Sequence, residues 1–231
     1  MNDIRTITID LDDTLWDIMP VIQRAEMLLR AWLTRYYPRM TERFDGEAIL
    51  TIRRQVLEEH CDMAHDLTFL RRQVLTRMSE AAGYSDFPVD EAFAVFSEAR
   101  NQVTLYPEAR PALEALGRRH ALIAVTNGNA DLERIGIRKL FHGVVSAASA
   151  GAAKPAREIF DAAVRAGGAN AAETLHVGDH PLHDVQGARD AGLRAVWVNR
   201  RREPWPDTYA APDAEVRHVG EVCGLVGVRR P

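Results

Sequence analysis

Three carboxylates fall within four residues near the start of the chain, at Asp10, Asp12 and Asp13, directly after a β-branched run. Because Ile, Val and Thr favour strands, the sequence predicts a strand from Arg5 to Ile9. Parallel α/β sheets bind their ligands just beyond the carboxyl ends of the strands, where these carboxylates would lie. Carboxylates crowded together repel one another and are costly to bury unpaired. We therefore expect a hard divalent cation between them, with Mg²⁺ as the first candidate.

The same segment has ordinary alternatives, because an Asp-x-Asp pair also caps helices and fills turns. On this segment alone, a functional and a purely structural interpretation are equally open. A calcium-binding EF-hand loop needs glycine at its sixth position and glutamate at its twelfth. Counted from Asp10, those positions hold Leu15 and Val21, so the sequence excludes that loop.

Polar residues also follow three later strands. One strand ends in Thr126-Asn127, where a hydroxyl and the amides of a glycine turn can donate to phosphate oxygens. Lys154 stands just before a helix, where an anion can bind, and the next strand ends at Asp179, five residues before Asp184. Each feature alone fits a turn, a surface lysine or a helix cap. Together they supply carboxylates, a hydroxyl and a cation, which phosphoryl transfer needs for positioning and charge neutralisation.

The elements that must position these residues fall into two regions. Residues 17–104 contain apolar stripes at helical spacing, in four helices that include Val21, Ala48, Leu67 and Val89, and predict a small helical bundle. From residue 105 onward strands and helices alternate, which implies a parallel sheet covered on both faces. The predicted strands lie at 5–9, 121–125, 144–146, 174–177 and 195–198. The predicted helices of this region lie at 107–119, 155–166 and 184–191, with Gly167 and Gly192 as helix terminators.

The fold class predicted from this pattern is α/β: a Rossmann-like parallel sheet sandwiched by helices, with an inserted helical domain. The boundaries are 1–16 and 105–231 for the sheet domain and 17–104 for the insert. This insert would directly follow the first strand and its carboxylates.

Composition narrows the function classes. A net charge of −4 and a pI near 6.1 argue against nucleic acid as the main partner. No apolar run approaches the roughly 20 residues that span a bilayer, and no leader is evident, so we expect a cytoplasmic protein without a membrane partner. Cys61 and Cys223 are far apart and are expected to be reduced, partly buried thiols. A monomer or a homodimer is expected.

The segment 10–15 (DLDDTL) resembles the first motif of the haloacid dehalogenase superfamily. Thr126, Lys154 and the pair Asp179 and Asp184 match its second, third and fourth motifs in the correct order. The helical insert after the first motif is similar to the family's helical cap domain. The resemblance therefore covers the whole chain.

A narrower similarity runs through the segments 10–17, 125–129 (VTNGN), 175–179 (LHVGD) and 65–68 (HDLT). These segments resemble bacterial phosphatases that act on flavin mononucleotide and on the phosphorylated ribitylamino-uracil precursor of riboflavin. The partner implied by this resemblance is a small phosphorylated metabolite.

The resemblance implies a role for each core residue. Asp10 would attack phosphorus and form an aspartyl-phosphate, while Asp12 protonates the leaving oxygen and then activates water. Mg²⁺ would be held by the Asp10 carboxylate, the Asp12 carbonyl and Asp179. Thr126 and Lys154 would contact the transferring oxygens.

Two further residues are expected to support this set, namely Asp184, which would orient Lys154 or a metal-bound water, and Asn127. The chain departs from the family at His180, where many relatives carry an acidic residue, so we expect somewhat weaker Mg²⁺ binding. The resemblance leaves open whether His180 or His183 touches the metal or the substrate.

Asp12 favours one reaction class within the superfamily. Dehalogenase members carry no acid at this position, because halide leaves without a proton, whereas an alkoxide needs one. A phosphatase is thus expected, with a sugar phosphomutase or a non-catalytic phospho-ligand binding protein as alternatives.

The cap domain is expected to select the substrate. The candidate contacts are His65, Asp66, Arg71 and Arg72, and the ordinary alternative is that these residues lie on solvent-facing helix surfaces. Trp32, Phe69 and Phe93 could stack on a flavin ring, although aromatic residues more often form the core of a helical bundle.

Overall fold

The computed structural model of the protein describes residue 1 and residues 3–229. Within these residues a parallel sheet has the strand order β3-β2-β1-β4-β5-β6. The strands are β1 (Thr6–Ile9), β2 (Ala121–Thr126), β3 (Gly143–Ser146), β4 (Thr174–Gly178), β5 (Arg194–Val198) and β6 (Ala214–Val216). The predicted α/β class is confirmed. All five strands expected from the sequence form, and β6 is an additional short one.

The first strand is central, with β2 on one side and β4 on the other. Ile9 lies opposite Ala124 on β2 and Val177 on β4, so the carboxyl ends of the three strands reach the same edge of the sheet. All four residues of β1 are buried, as in a parallel sheet covered on both faces. This register brings residue 10 to the same edge of the sheet as residues 126 and 179, each of which lies more than 100 residues away from it along the chain.

Helices cover the sheet, and their first and last residues differ from the predicted bounds by a few positions. The helices that follow the insert are α6 (Ala109–Gly117), α7 (Leu132–Ile135), α8 (Ala147–Ala150), α9 (Arg157–Gly167), a π-helix (Pro181–Gln186) continuing into α10 (Gly187–Asp190), and α11 (Val222–Leu225). Short 3₁₀ turns lie at Cys61–Met63, Arg138–Leu140, Ala171–Glu173 and Val219–Glu221. Helix α9 packs Ile159, Phe160 and Ala163 into a core with residues of β2 and β5.

Three local predictions were wrong. The helix expected to begin at Asp184 begins at Pro181, because the side chain of His180 accepts from the two amides at the helix start. The left-handed residue after α9 is Gly168, with φ of 70°, one position later than expected. Both cysteines were expected to be partly buried, but Cys61 is exposed and Cys223 is buried, and no disulfide joins them.

The insert forms five helices rather than the four expected. These are α1 (Ile18–Tyr36), α2 (Pro38–Arg43), α3 (Gly46–Glu59), α4 (Leu67–Ala81) and α5 (Val89–Arg100). Apolar residues from all five build one core, among them Leu29, Met40, Val56, Met78 and Phe96. Helix α2, which has only six residues and begins at a proline, was not predicted.

The chain divides into two compact units. One comprises Met1–Asp17, Thr104–Gly128 and the chain from Ile135 onward, and the other comprises Ile18–Val103 and Asn129–Arg134. The short segment 129–134 belongs with the helices because Asp131 N donates to Asn101 Oδ1 at 2.7 Å, and Asn129 Nδ2 donates to the Thr68 hydroxyl at 3.2 Å. Among the described residues, no helix has the length and apolar character needed to cross a membrane.

Candidate active site

Asp10 follows β1 directly and its side chain is almost completely buried. Its backbone N–H donates to Val177 O at 2.9 Å, which extends the β1–β4 pairing by one residue. The ammonium of Lys154 donates to Asp10 Oδ1 at 2.5 Å. On the other oxygen, Oδ2, the hydroxyl of Thr14 approaches to 3.4 Å. The carboxylate is therefore held from two directions at the edge of the sheet.

Lys154 reaches the site because its own backbone is held by Asn127. The amide oxygen of Asn127 accepts from Lys154 N at 2.7 Å, and its amide nitrogen donates to Lys154 O at 2.9 Å. The Lys154–Pro155 peptide bond is cis. The buried ammonium then donates to Asp10, to Asp184 Oδ1 at 2.6 Å and to Val125 O at 3.3 Å. All three donor positions of the ammonium group are used.

Asp184 lies within the π-helix and is buried. Its Oδ2 accepts from His180 N at 2.9 Å, and its Oδ1 accepts from Lys154 and from His176 Nε2, the latter at 3.1 Å. Glycine precedes Asp179 for a steric reason, because a Cβ at Gly178 would lie 2.3 Å from the carboxyl carbon of Asp184. The approach of Asp184 to the strand end thus depends on a residue without a side chain.

Asp179 is the first residue after β4. Its Oδ1 is 3.4 Å from the Thr14 hydroxyl, and its carbonyl accepts from Trp197 Nε1 at 2.7 Å. Each of Asp10, Asp179 and Asp184 offers a carboxylate oxygen, and these three oxygens all lie within 4.8 Å of one another. Carboxylate oxygens at this spacing are the donor type that Mg²⁺ and other hard divalent cations select, so the residues fit such an ion.

The charges in this cluster do not balance. Three carboxylates share one ammonium, and they are largely removed from solvent. Burial raises the pKa of Asp10 well above its ordinary value, against the effect of Lys154 and with the help of Asp184 and Asp179. Burial, Asp184 and Asp13 raise the pKa of Asp179 to about 7. An added cation would relieve this excess of negative charge.

Asp184 shows the opposite behaviour. Although burial opposes it, Lys154 and His176 hold the pKa of Asp184 well below its ordinary value. Burial lowers the pKa of His176, although Asp184 opposes this shift. The cluster thus contains one carboxylate that stays ionised and two whose charge is costly, which is a common property of functional sites.

Asp12 lies in the turn that follows β1. The indole Nε1 of the buried Trp16 donates to Asp12 Oδ1 at 2.9 Å. Between them Asp13 adopts a left-handed conformation with φ of 59°, and its N–H donates to Trp16 O at 2.8 Å. This tight turn orients the half-buried Asp12 carboxylate.

Thr126 is buried at the end of β2, where its hydroxyl oxygen accepts from Gly128 N at 2.9 Å. The glycine turn predicted from the sequence therefore folds back on the threonine. His180 caps the π-helix and stacks on His183 with 4.0 Å between ring centroids. The imidazole of His180 thus stabilises the start of the π-helix.

The four candidate substrate residues of the insert were His65, Asp66, Arg71 and Arg72. In the helical unit, three of them contact different partners. Asp66 caps α4 by accepting from Thr68 N and Phe69 N, each at 2.9 Å. Arg71 pairs with Glu26 at 2.8 Å and lies over the Phe96 ring. The remaining two are His65, which is half-buried, and Arg72, which pairs with Asp90 at 2.9 Å. Substrate contact by these four residues remains a prediction.

Aromatic residues of the insert mostly contact one another. Trp32 packs against Tyr37 with 5.2 Å between ring centroids and against Phe87 at 6.3 Å. Phe69 meets the His60 ring edge-on at 5.1 Å. These contacts agree with the ordinary alternative, in which the aromatic rings build the helical unit.

Three residues that were given no individual role in the sequence-based prediction lie in the site: Thr14, Trp16 and His176. Thr14 was visible as part of the first motif. The signals for the other two were weaker. Trp16 is an indole, with one N–H donor, next to the first motif, and His176 is a polar ring within an apolar strand. Their hydrogen bonds depend on tertiary geometry that the local sequence does not reveal.

Residues 4–192 match the family of haloacid dehalogenase-like hydrolases. The chain belongs to this family. The resemblance drawn from four ordered motifs is thereby confirmed, and the coarse activity is that of a hydrolase.

Two relatives cover nearly the whole chain, and a third covers about two thirds of it. A crystal structure of a 2-haloacid dehalogenase from Pseudomonas syringae pv. Tomato DC3000 is 38% identical, with a TM-score of 0.93 over 97% of this chain and 98% of that one. The 5-amino-6-(5-phospho-D-ribitylamino)uracil phosphatase YigB of Escherichia coli is 29% identical in an alignment that covers 96% of this chain and 96% of that one. A phosphoserine phosphatase of Thermus thermophilus is 39% identical over 158 residues, 66% of this chain and 63% of the relative. Both reaction classes therefore occur among its relatives.

Proposed function

We propose that the chain is a Mg²⁺-dependent phosphatase that hydrolyses phosphate monoesters of small metabolites through an aspartyl-phosphate. The observation that carries this proposal is the carboxylate of Asp12, two residues after Asp10, held by Trp16 Nε1 at 2.9 Å. An acid at this position can give a proton to an alkoxide leaving group, which needs one, whereas a halide leaves without it.

The nucleophile in this proposal is Asp10. Its carboxylate attacks phosphorus in line, the bond from phosphorus to the ester oxygen breaks, and the phosphoryl group is transferred to Asp10. Lys154, 2.5 Å from Asp10 Oδ1, and the hydroxyl of Thr126 neutralise the transferring oxygens. Asn127 supports this step by holding the backbone of Lys154.

Asp12 acts twice in the proposed cycle. As an acid it gives its proton to the leaving alkoxide, and as a base it takes a proton from the water that hydrolyses the aspartyl-phosphate. This second step returns Asp10 and releases inorganic phosphate. A halide would leave without a proton, so the first of these two tasks has no counterpart in dehalogenation.

The proposed metal ligands are the carboxylates of Asp10 and Asp179 and the backbone carbonyl of Asp12. When bound, Mg²⁺ would offset the repulsion between an anionic nucleophile and an anionic phosphate. Asp184 has its oxygens engaged by Lys154, His176 and His180 N. We therefore assign Asp184 to orienting Lys154 rather than to direct ligation, although its oxygen lies within reach of the other two.

We further propose a substrate that carries a ribityl 5-phosphate on a flat heterocycle, as in the phosphorylated ribitylamino-uracil precursor and in flavin mononucleotide. The support is the name of the Escherichia coli relative, whose similarity extends over 96% of both chains. A screen of these two compounds against ribose 5-phosphate, nucleoside monophosphates and sugar phosphates tests the assignment. Conversion of a sugar phosphate to its isomer without phosphate release would instead indicate a phosphomutase.

The primary test is release of phosphate from p-nitrophenyl phosphate with Mg²⁺, and again after EDTA. We expect hydrolysis that EDTA abolishes and fresh Mg²⁺ restores. Absence of metal-dependent hydrolysis at high enzyme concentration, together with binding of phosphorylated ligands, would support a binding protein instead.

Dehalogenation is the second candidate, because the Pseudomonas syringae structure is 38% identical over nearly the full chain. Chloride release from 2-chloropropionate, measured beside phosphate release, separates the two reactions. The Asp12→Asn variant sharpens the result, since loss of the acid should lower hydrolysis of alkyl phosphates by about 10²-fold or more. It should affect p-nitrophenyl phosphate less, because nitrophenolate leaves more easily. Chloride release that withstands both EDTA and Asp12→Asn would overturn the phosphatase proposal.

A further inference from the structure

An imidazole lies fully buried in the middle of strand β4. His176 has 0% exposed surface and stands opposite Thr8 in the register of the central pair β1–β4. The positions on either side, Leu175 and Val177, are apolar and equally buried. Burying a polar ring among such residues is costly unless its nitrogens are hydrogen-bonded.

Both ring nitrogens of His176 have partners. Nε2 lies 3.1 Å from Asp184 Oδ1 and Nδ1 lies 2.8 Å from the Thr8 hydroxyl. A carboxylate oxygen only accepts, so the hydrogen resides on Nε2 and points to Asp184. The ring is also fixed in its plane, because it meets Phe160 edge-on at 89° with 5.2 Å between centroids.

The oxygen that His176 contacts is also the oxygen that holds the site lysine. Asp184 Oδ1 accepts from Lys154 Nζ at 2.6 Å, and the same ammonium donates to Asp10 Oδ1 at 2.5 Å. A continuous chain of hydrogen bonds thus runs from Thr8 through His176, Asp184 and Lys154 to Asp10. Each link is between buried groups.

We propose that His176 is a positioning residue of the active site, which orients the Asp184 carboxylate and thereby directs the Lys154 ammonium at Asp10. The inference rests on the proposed function for its kinetic consequence. His176 touches neither the nucleophile nor the transferring group. It acts through Asp184, whose second oxygen is fixed independently by His180 N. Without the imidazole, Oδ1 would keep only the contact with the Lys154 ammonium, which is the group that the carboxylate has to orient.

The kinetic test compares His176→Phe with His176→Gln. Phenylalanine keeps a ring beside Phe160 and removes the donor, whereas the glutamine amide can reach the position of Nε2. We expect His176→Phe to lower kcat for p-nitrophenyl phosphate about tenfold, with KM changed by less than about twofold, and His176→Gln to recover part of the loss. Phe160→Leu is the matched control for packing, and it should leave kcat within about twofold of wild type.

A double-mutant cycle identifies the route of the effect. If His176 acts through Asp184, then His176→Phe should cause no further loss in an Asp184→Asn background. A full tenfold loss in that background would overturn the proposal, as would a glutamine variant no better than the phenylalanine one. If His176→Phe does not fold, Thr8→Val replaces it, since it removes the partner of Nδ1 and should lower kcat in the same direction by about twofold to threefold.

Two measurements need no turnover and so separate this inference from the proposed function. Nitrogen NMR of the wild-type protein should show the hydrogen of His176 on Nε2, slowly exchanging because the ring is buried. Calorimetry should show weaker Mg²⁺ binding, by about tenfold, in His176→Phe than in wild type. If the wild type hydrolyses no phosphate monoester but both results hold, the proposed function fails and the positioning role stands. A hydrogen on Nδ1, or unchanged Mg²⁺ affinity, would overturn the positioning role itself.

Discussion

Two ionic clusters in this protein combine carboxylates with cationic side chains in different surroundings. In the sheet unit, Asp10, Asp184 and Lys154 have side chains exposed by 9% or less. In the helical unit, Glu26 joins Arg71 and Arg53, with side chains exposed by 35%, 19% and 43%. Each cluster has short contacts, between 2.5 and 2.8 Å. They differ in burial and in the sign of their excess charge.

That difference appears in the titration of the carboxylates. Although burial opposes it, Arg71 and Arg53 lower the pKa of Glu26, so its charge is satisfied by its own neighbours. Burial raises the pKa of Asp10, and a single Lys154 does not overcome the effect of burial and two more aspartates. The helical cluster is complete as it stands, whereas the sheet cluster lacks positive charge. An incomplete buried cluster of this kind marks a place where an ion or a substrate adds stability.

The largest effect should come from the nucleophile. Asp10→Asn keeps the shape of the side chain but removes its charge, so phosphoryl transfer to this residue stops. We expect kcat for p-nitrophenyl phosphate to fall by at least about 10³-fold, with the circular dichroism spectrum unchanged. Asp161→Asn is the matched control, because among the described residues this carboxylate forms a largely exposed pair with Arg157. Wild-type turnover by Asp10→Asn would refute the assignment of the nucleophile.

The second largest effect should come from replacing Lys154, whose ammonium is the cation of the site. Lys154→Met keeps much of the side-chain volume but leaves Asp10 and Asp184 facing each other without the ammonium. Breaking a buried pair in this way should lower the free energy of unfolding by about 3 kcal/mol, measured in urea, and kcat by about 10²-fold. Mg²⁺ should restore part of the stability, because it supplies positive charge to the same oxygens. A variant as stable as wild type without Mg²⁺ would contradict the buried-pair account.

The corresponding substitution in the helical unit should lower stability and activity much less. Arg71→Met removes one of two arginines from Glu26 and the contact with the Phe96 ring at 3.4 Å. Since Arg53 still pairs with Glu26, the free energy of unfolding should fall by only about 1 kcal/mol. Hydrolysis of p-nitrophenyl phosphate should stay within about twofold of wild type. A loss confined to larger substrates would support the predicted substrate contact of Arg71.

The smallest expected effect is a dependence of Mg²⁺ stabilisation on pH. The pKa of Asp179 is raised from 3.8 to about 7, so the folded protein holds a proton that the unfolded chain releases near pH 4. Without metal, this residue's contribution therefore lowers stability as pH rises from about 4 to about 7. Mg²⁺ displaces the proton, so the gain in Tm should be larger at about pH 8 than at about pH 5.5.

Scanning calorimetry with and without Mg²⁺ at the two pH values measures this difference. Asp179→Asn provides the control, since the variant has no carboxyl group to titrate at this position. An equal Mg²⁺-induced shift of Tm at both pH values in the wild type would exclude Asp179 as the titrating group.

Much of the sheet could be predicted because its signals are local. The β-branched run before Asp10 and the apolar runs before Thr126 and Asp179 each formed a strand within one residue of the expected bounds. The helix start at Pro181 was missed because the capping group is an imidazole, at a position where Asp184 offered the more usual cap. Helix α2 was missed because six residues contain too few turns for a periodic pattern.

The sequence by itself determined the strand and helix alternation, the insert after β1, and the order in which carboxylates, hydroxyl and lysine reach the strand ends. These properties depend on residues only a few positions apart. Only the tertiary structure decided the pairings: Lys154 between Asp10 and Asp184, His176 behind Asp184, and Arg71 bound to Glu26. Such contacts are set by strand register and helix packing, because parallel neighbours lie far apart along the chain. Carboxylates and cationic side chains therefore form an incomplete, buried site in one unit and a neutralised, half-exposed cluster in the other.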